Sequence, residues 1–296
     1  MRRAYGGHVA VDGIDFEIRE GECFGFLGPN GAGKSTTMRM LSCLTPRDAG
    51  DLLVLGIDPA RNARALKRRL GVVAQDVNLD LELTVRENLL IYGRYFDLSR
   101  EEASRRADRL LAFVELGDRS CSEVRQLSGG MQRRLQIARS LINDPALVLL
   151  DEPTTGLDPH ARQLVWERLR SLRADGVALA LTTHYMDEAA QLCDRLVIMD
   201  RGRVIREGTP AGLIEAVVGH DAVEVAMDGD SRALESVRRA RLRHHVRADR
   251  LIAFGENASE IEAIIRATGA VPSLLVARRS SLEDVFLELT GHALDD

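Results

Sequence analysis

Short, almost wholly apolar runs punctuate this chain, and between them apolar positions recur at helical spacing. "CFGFLG" (23–28), "GVVAQ" (71–75), "ALVLL" (146–150) and "VALAL" (177–181) read as strands buried on both faces. Residues 83–96, 101–116, 160–176 and 186–193 keep their apolar side chains on one side and read as helices. The first of these opens with Thr84 as N-cap and Glu87 three residues on, a capping-box pattern; the third ends at Gly176. Residues 9–27 alternate in short strand-like pieces, and "RLVIMDRGRVIREG" (195–208) reads as a hairpin turning at Arg201-Gly202. Strands alternating with helices predict an α/β fold, a mostly parallel sheet covered on both faces.

After "GTPAGLIEAVVG" (208–219) the pattern changes. Strands are predicted at 222–227, 244–249, 251–254 and 273–278, with helices at 231–240 and 258–268 and a last helix at 282–290. Without that last helix the order is βαββαβ, a split βαβ or ferredoxin-like α+β arrangement. The expected domains are therefore 1–218 and a small accessory domain, 219–296. Its apolar alternation forms a core of its own. The closing helix, with Leu282, Val285, Phe286 and Leu289 on one side, belongs either to that core or to a contact with a partner subunit.

The net charge of -5 gives no support for nucleic acid or an anionic surface as partner. The apolar runs are far shorter than the roughly 20 residues that cross a bilayer. No apolar stretch follows the charged residues at the start, so a secretory signal is not expected and the cytoplasm is the default compartment. Cys23, Cys43, Cys121 and Cys193 lie far apart, with no metal-ligand spacing, and are expected as buried free thiols.

The chemistry is carried by three stretches. "GPNGAGKST" (28–36) fits G-x-x-x-x-G-K-[ST] between a strand and a helix. Gly28, Gly31 and Gly33, with Asn30 and Ala32 between them, let the backbone wrap around phosphates. Lys34 would reach the β and γ phosphates, Ser35 would ligate Mg²⁺, and Thr36 adds a hydroxyl. "ALVLLDEP" (146–153) delivers Asp151 and Glu152 at a strand end, one placed to hold Mg²⁺ and the other to polarise an attacking water. "LSGGMQRRLQIARS" (127–140) sets Ser128, Gly129 and Gly130 in front of a helix that runs to about Ile142, a second grip for an anion.

The order "GPNGAGKST", "VAQ" (73–75), "LSGGMQ", "LLDEPTTGLD" (149–158) and "TTH" (182–184) resembles the ATP-binding subunit of an ABC transporter over residues 5 to about 215. The resemblance implies a P-loop NTPase cassette with an antiparallel β subdomain, a helical signature subdomain at about 76–142, and ATP with Mg²⁺ as ligands. It implies that Gln75 senses the γ-phosphate, touches the metal and couples to the membrane subunit. It makes His184 the switch histidine, Asp158 the aspartate after the second motif, and Tyr5 the aromatic that stacks on adenine. Cassettes of this family pair head to tail, so Ser128, Gly129 and Gly130 would hold the phosphate of an ATP bound by a second copy. Two departures stand out: Met131 replaces the usual signature glutamine, and only four residues precede Tyr5, where the family carries a strand. The chain is thus expected either to start late or to lack an edge strand beside the adenine pocket.

Motor and repair ATPases share this nucleotide chemistry, and a soluble ATPase without a membrane partner is the alternative. Against it, the two phosphate motifs are not separated by a heptad run and only one P-loop is present. Residues 78–96, 158–172 and 282–291 resemble the nodulation-factor exporter ATP-binding subunits and their daunorubicin-type drug-resistance relatives. That resemblance implies a separate ABC-2-type permease, a cassette on the cytoplasmic face of the cell membrane, and export of a hydrophobic, lipid-linked or drug-like molecule. Residues around 75–87 are expected to face the permease.

Overall fold

The computed structural model describes residues 1–227, 229–267, 269 and 272–291. Two compact units form, Met1–Glu207 and Gly208–Asp296. The first contains β1 (Arg3–Tyr5), β2 (His8–Val11), β3 (Cys23–Leu27), α1 (Lys34–Leu41), α2 (Ala63–Lys67), β4 (Leu70–Val73), α3 (Val85–Arg94) and α4 (Arg100–Phe113). It continues with α5 (Gly129–Ser140), β5 (Leu147–Asp151), α6 (Pro159–Ala174), β6 (Ala178–Thr183), α7 (Met186–Leu192), β7 (Arg195–Asp200) and β8 (Arg203–Gly208).

Among the described residues a six-stranded sheet runs β4-β5-β6-β3-β7-β8, and the contacts from β4 through β7 are parallel. Parallel neighbours need crossovers, and the helices supply them. Register aligns the carboxyl ends: Leu27 lies opposite Thr183, and Asp151 opposite Thr182. The loops after β3, β5 and β6 therefore open at one edge, where ligands of such sheets bind. Phe24, Phe26, Met40, Leu66, Leu149, Ala180 and Met199 fill the interior. Burying a side chain such as Phe24 or Leu66, fully enclosed here, contributes about 1.5–3 kcal/mol. To one side α3, α4 and α5 pack together. The Thr84 capping box starts α3 as expected, with the Thr84 hydroxyl accepting from the Glu87 N–H and Glu87 accepting from the Thr84 N–H. The β7–β8 turn places Arg201 and Gly202 at φ 46° and 78°, as a two-residue I′ hairpin requires.

Three expectations need correction. Residues 12–21 carry no strand. The alternation of Ile14, Phe16 and Ile18 serves packing instead: Phe16 stacks on Phe24 at 5.8 Å and meets Phe26 edge-on at 4.9 Å. The strand beside Tyr5 is present, because Arg3–Tyr5 pairs antiparallel with His8–Val11. Met1 is held in line with it, donating to and accepting from the Ile14 backbone at 2.8 and 3.1 Å. Of the four free cysteines only Cys23 and Cys193 are buried; Cys43 is half-buried and Cys121 is exposed, next to the loop that precedes α5.

The second unit holds α8 (Pro210–Val217), β9 (Asp221–Ala226), α9 (Arg232–Arg239), β10 (Arg243–Arg247), β11 (Arg250–Gly255), α10 (Ala258–Arg266), β12 (Leu275–Arg279) and α11 (Leu282–Thr290). Its four-stranded sheet runs β10-β11-β9-β12, antiparallel throughout, the order a split βαβ makes. Val223, Val225, Leu251 and Ala253 pack under Val237, Ile261 and Ile265 of α9 and α10. On α11, Leu282, Val285 and Phe286 are buried, and the helix packs on α8. Three of the four residues on its apolar side are thus covered by its own chain, and Leu289 stays half-buried. Arg278 ties α11 down, donating to Asp284 at 2.7 and 2.8 Å and to Glu224 at 2.6 Å. Thr268 of the predicted helix and residues 292–296 of the predicted domain lie outside the described residues.

Candidate functional site

The glycine loop joins β3 to α1. Asn30 and Gly31 are exposed at its tip and Ala32 is buried beneath it. At Gly33 φ is 100°, and a Cβ would stand 2.4 Å from the Ala10 carbonyl oxygen, so only glycine closes the loop. Lys34 is buried and turns back into the loop, donating to the carbonyls of Gly28 at 2.6 Å and Pro29 at 3.0 Å. Burial lowers its pKa, opposed by the charges of Glu152 and Asp151.

Opposite the loop, β5 ends in the two carboxylates. Asp151 Oδ1 accepts from Ser35 Oγ at 3.1 Å and from Thr182 Oγ1 at 2.5 Å. Glu152 follows at φ 48°, a left-handed backbone that a non-glycine residue keeps only when its surroundings hold it. Its N–H donates to the Thr182 carbonyl and hydroxyl at 3.1 and 3.0 Å. Its side chain is buried and meets four groups. Gln75 Nε2 and Thr155 Oγ1 each donate to Oε2 at 3.2 Å. Lys34 Nζ and His184 Nδ1 stand 3.9 and 3.4 Å from Oε1. The neighbouring His184 ring, followed by Lys34, holds the Glu152 carboxyl below its usual range, so it is ionised at neutral pH.

Lys34, Ser35, Gln75, Asp151, Glu152 and His184 therefore converge, together with Gly28 and the loop that carries it. Thr36 follows them into α1 and is half-buried. Tyr5 is exposed, its hydroxyl donating to Thr45 Oγ1 at 3.5 Å and the Arg3 guanidinium lying 4.6 Å over its ring. Ser128, Gly129 and Gly130 stand apart. Ser128 caps α5, its Oγ accepting from the Met131 N–H at 3.3 Å. Gly130 closes tightly on α6, where a Cβ would come 2.8 Å from that of Ala161. Asp158 caps α6, accepting from the Ala161 N–H at 3.0 Å. Among the described residues no hydrogen bond or ion pair joins 128–130 to the glycine loop.

One residue that sequence reasoning missed organises the centre. Arg133 of α5 is buried, and its guanidinium donates to the carbonyls of Pro153 at 2.7 Å, Ala74 at 2.5 Å, Asp151 at 3.1 Å and Glu152 at 2.7 Å, and to Gln136 Oε1 at 2.7 Å. It thereby joins the signature helix to the loops that carry Gln75 and Glu152. Burial brings its pKa down to about 10, which leaves it charged at neutral pH.

The donor set fits Mg²⁺: a hydroxyl and a carboxylate oxygen already meet at Ser35 and Asp151, and this hard ion takes few protein oxygens beside phosphate and water. The loop fits a polyphosphate, since its only buried cation has backbone carbonyls to exchange for phosphate oxygens.

The sequence profile of the family described as "ABC transporter" matches residues 11–155. Over its whole length the chain is 47% identical to the Nod factor export ATP-binding protein I of Rhizobium johnstonii, covering 94% of that relative. It is 48% identical to the protein of the same name from Ralstonia nicotianae, again covering 94% of the relative. Among solved structures, the dimeric post-hydrolysis state of the ATP-binding cassette MJ0796 bound to ADP and Pi superposes with a TM-score of 0.64 at 30% identity. The match covers 70% of this chain and 94% of that one. Full-length identity at this level, together with the clustered Lys34, Asp151, Glu152 and His184, leads to one conclusion: the chain belongs to the ABC transporter family, as one of its ATP-binding, ATP-hydrolysing cassettes.

Proposed function

We propose that two copies of this cassette power a separate ABC-2-type permease from the cytoplasmic face of the cell membrane, exporting a hydrophobic, lipid-linked or drug-like molecule. The observation that carries the reading is the convergence of Gln75 and His184 on the buried Lys34 and Glu152 side chains, which has the parts of a hydrolytic phosphate site. The relatives' names support the direction of transport.

ATP enters with its phosphates in the loop 28–33. Lys34 exchanges two carbonyls for the β and γ phosphates, Thr36 adds its hydroxyl, and Tyr5 offers its ring to adenine. Ser35, Asp151 and Gln75 would hold Mg²⁺, which would supply charge neutralisation to the phosphates. Glu152, ionised and oriented by Gln75 and Thr155, accepts the proton of the attacking water. His184, whose Nδ1 stands 3.4 Å from Glu152 Oε1, offers its ring to the γ-phosphate. Ser128, Gly129, Gly130 and Asp158 serve the ATP of the other copy: the first turn of α5 has N–H groups to offer an anion, and among the described residues no hydrogen bond joins them to their own cradle.

Light scattering on the Glu152→Gln protein tests the pairing. Mg-ATP should shift the mass from 32.7 kDa to twice that value; a monomer with ATP bound would count against two-copy sites.

A groove of about 670 Å³, lined by Leu44, Lys67, Val72, Asn78, Tyr92 and Tyr95 among others, offers the permease a seat. Leu44 and Tyr95 are 65% and 75% exposed at its rim, and Val77 and Leu81 lie exposed in the segment after Gln75. Exposed apolar groups of this kind mark interaction surfaces. Leu44→Asp combined with Tyr95→Asp should leave the ATPase rate of the isolated chain unchanged and abolish co-purification with the permease. Intact co-purification would move the seat elsewhere.

A further inference from the structure

Glu188 sits in the first turn of α7, fully buried, beyond the cluster described above. Its Oε1 accepts from the Thr154 hydroxyl at 2.7 Å and from the Trp166 indole N–H at 3.1 Å. These partners come from two other segments. Thr154 lies two residues past Glu152, and Trp166 lies on α6, the helix capped by Asp158. α7 itself begins two residues past His184. One carboxyl group thus fastens together the three segments that carry Glu152, Asp158 and His184.

We propose that Glu188 is a positioning residue for hydrolysis: it pins the loop after Glu152 to α6 and α7, keeping the Glu152 carboxylate against His184. The inference rests on the reading of Glu152 as the proton acceptor. Its physical basis is the left-handed backbone of Glu152, which persists only while neighbouring structure restrains it. The Thr154 hydroxyl bond is a buried restraint two residues away. Glu188 Oε2 has no hydrogen-bond partner among the described residues. Burial pushes its carboxyl up, against the Thr183 and Thr154 hydroxyls and the Trp166 N–H, which favour the carboxylate. A carboxyl group that uses one oxygen as a double acceptor is well imitated by glutamine, whose amide oxygen accepts from the same place, and not by alanine.

The test compares Glu188→Ala, Glu188→Gln and Thr154→Val, reading kcat for ATP hydrolysis beside the Kd for Mg-ATP. Glu188→Ala should lower kcat about tenfold or more with Kd within about twofold, since the glycine loop is untouched. Glu188→Gln should keep at least about half the rate. Thr154→Val should share the loss of Glu188→Ala, and the double variant should be no slower than Glu188→Ala, because the bond that Thr154→Val cuts is already lost in Glu188→Ala. Trp166 is the only tryptophan of the chain, so its emission reports directly whether the bond to residue 188 is lost. The proposal is overturned if Glu188→Ala turns over normally, if kcat and affinity fall together, or if Glu188→Gln is as slow as Glu188→Ala. Should Glu188→Ala fail to fold, Thr154→Val alone decides by the same split between kcat and Kd. Glu152→Gln run in parallel separates the two readings: normal turnover there removes the acceptor role, whereas a dead Glu152→Gln beside a normal Glu188→Ala removes only the pin.

Discussion

Glu152→Gln keeps Mg-ATP bound and loses turnover by about 10²–10⁴-fold, the range that a positioned proton acceptor is worth. The substitution is isosteric, so the buried side chain still fills its place beside Gln75, Thr155 and His184. What disappears is the negative charge and the basic oxygen. Lys34 then loses the carboxylate 3.9 Å from its Nζ, which frees it further for phosphate. Affinity should hold or rise while the chemical step stalls, a separation that loss of fold cannot imitate. Single-turnover phosphate release together with equilibrium binding of Mg-ATP measures both quantities. Turnover close to that of the unaltered chain would sink the assignment of Glu152.

Arg133→Met costs about 3–5 kcal/mol of stability, the range seen when a buried charged partner is removed. A methionine fills most of the volume but donates nothing to the carbonyls of Ala74, Asp151, Glu152 and Pro153. Each buried acceptor left without a donor costs about 1–3 kcal/mol before the loops relax. Those loops carry Gln75 and Glu152, so relaxation displaces the site itself and activity falls along with stability. Thermal unfolding of the cassette should drop by about 10 °C. Arg133→Lys keeps the charge but not the five-donor fork, and should recover only part of the loss. A melting temperature unchanged in Arg133→Met would show that water replaces the guanidinium at little cost.

Residues that act through local backbone chemistry were legible before any fold was known. The glycine loop, the Thr84–Glu87 capping box and the Arg201-Gly202 turn each depend on a few adjacent residues, and all took the expected form. The site was legible where its groups end apolar strands, as Asp151, Glu152 and His184 do. Arg133 was not. With Gln136 and Ser140 it forms a polar stripe along α5, which in sequence reads as a face turned to water. Its partners are backbone carbonyls from 59 and 18–20 residues away, and carbonyls carry no sequence signal. Glu188 is hidden for the same reason, since a charged residue in a short helix is usually solvated. Residues 12–21 show the converse error, because alternation reveals which side chains are buried but not whether a hydrogen-bonding strand lies alongside.

The placement of β3 between β6 and β7 has a consequence for the chain's biogenesis. The strand that leads into the glycine loop ends at Leu27, yet the strands that flank it are residues 178–183 and 195–200. At the usual elongation rate of about 5–20 residues per second, β3 leaves the ribosome roughly ten to thirty seconds before both of its neighbours exist. During that interval its two backbone edges and the apolar side chains of Phe24 and Phe26 have no native cover, and ATP has no finished cradle in which to stabilise the nascent chain. The cassette matures late, and until then it is a natural client for chaperones that shield unpaired strands.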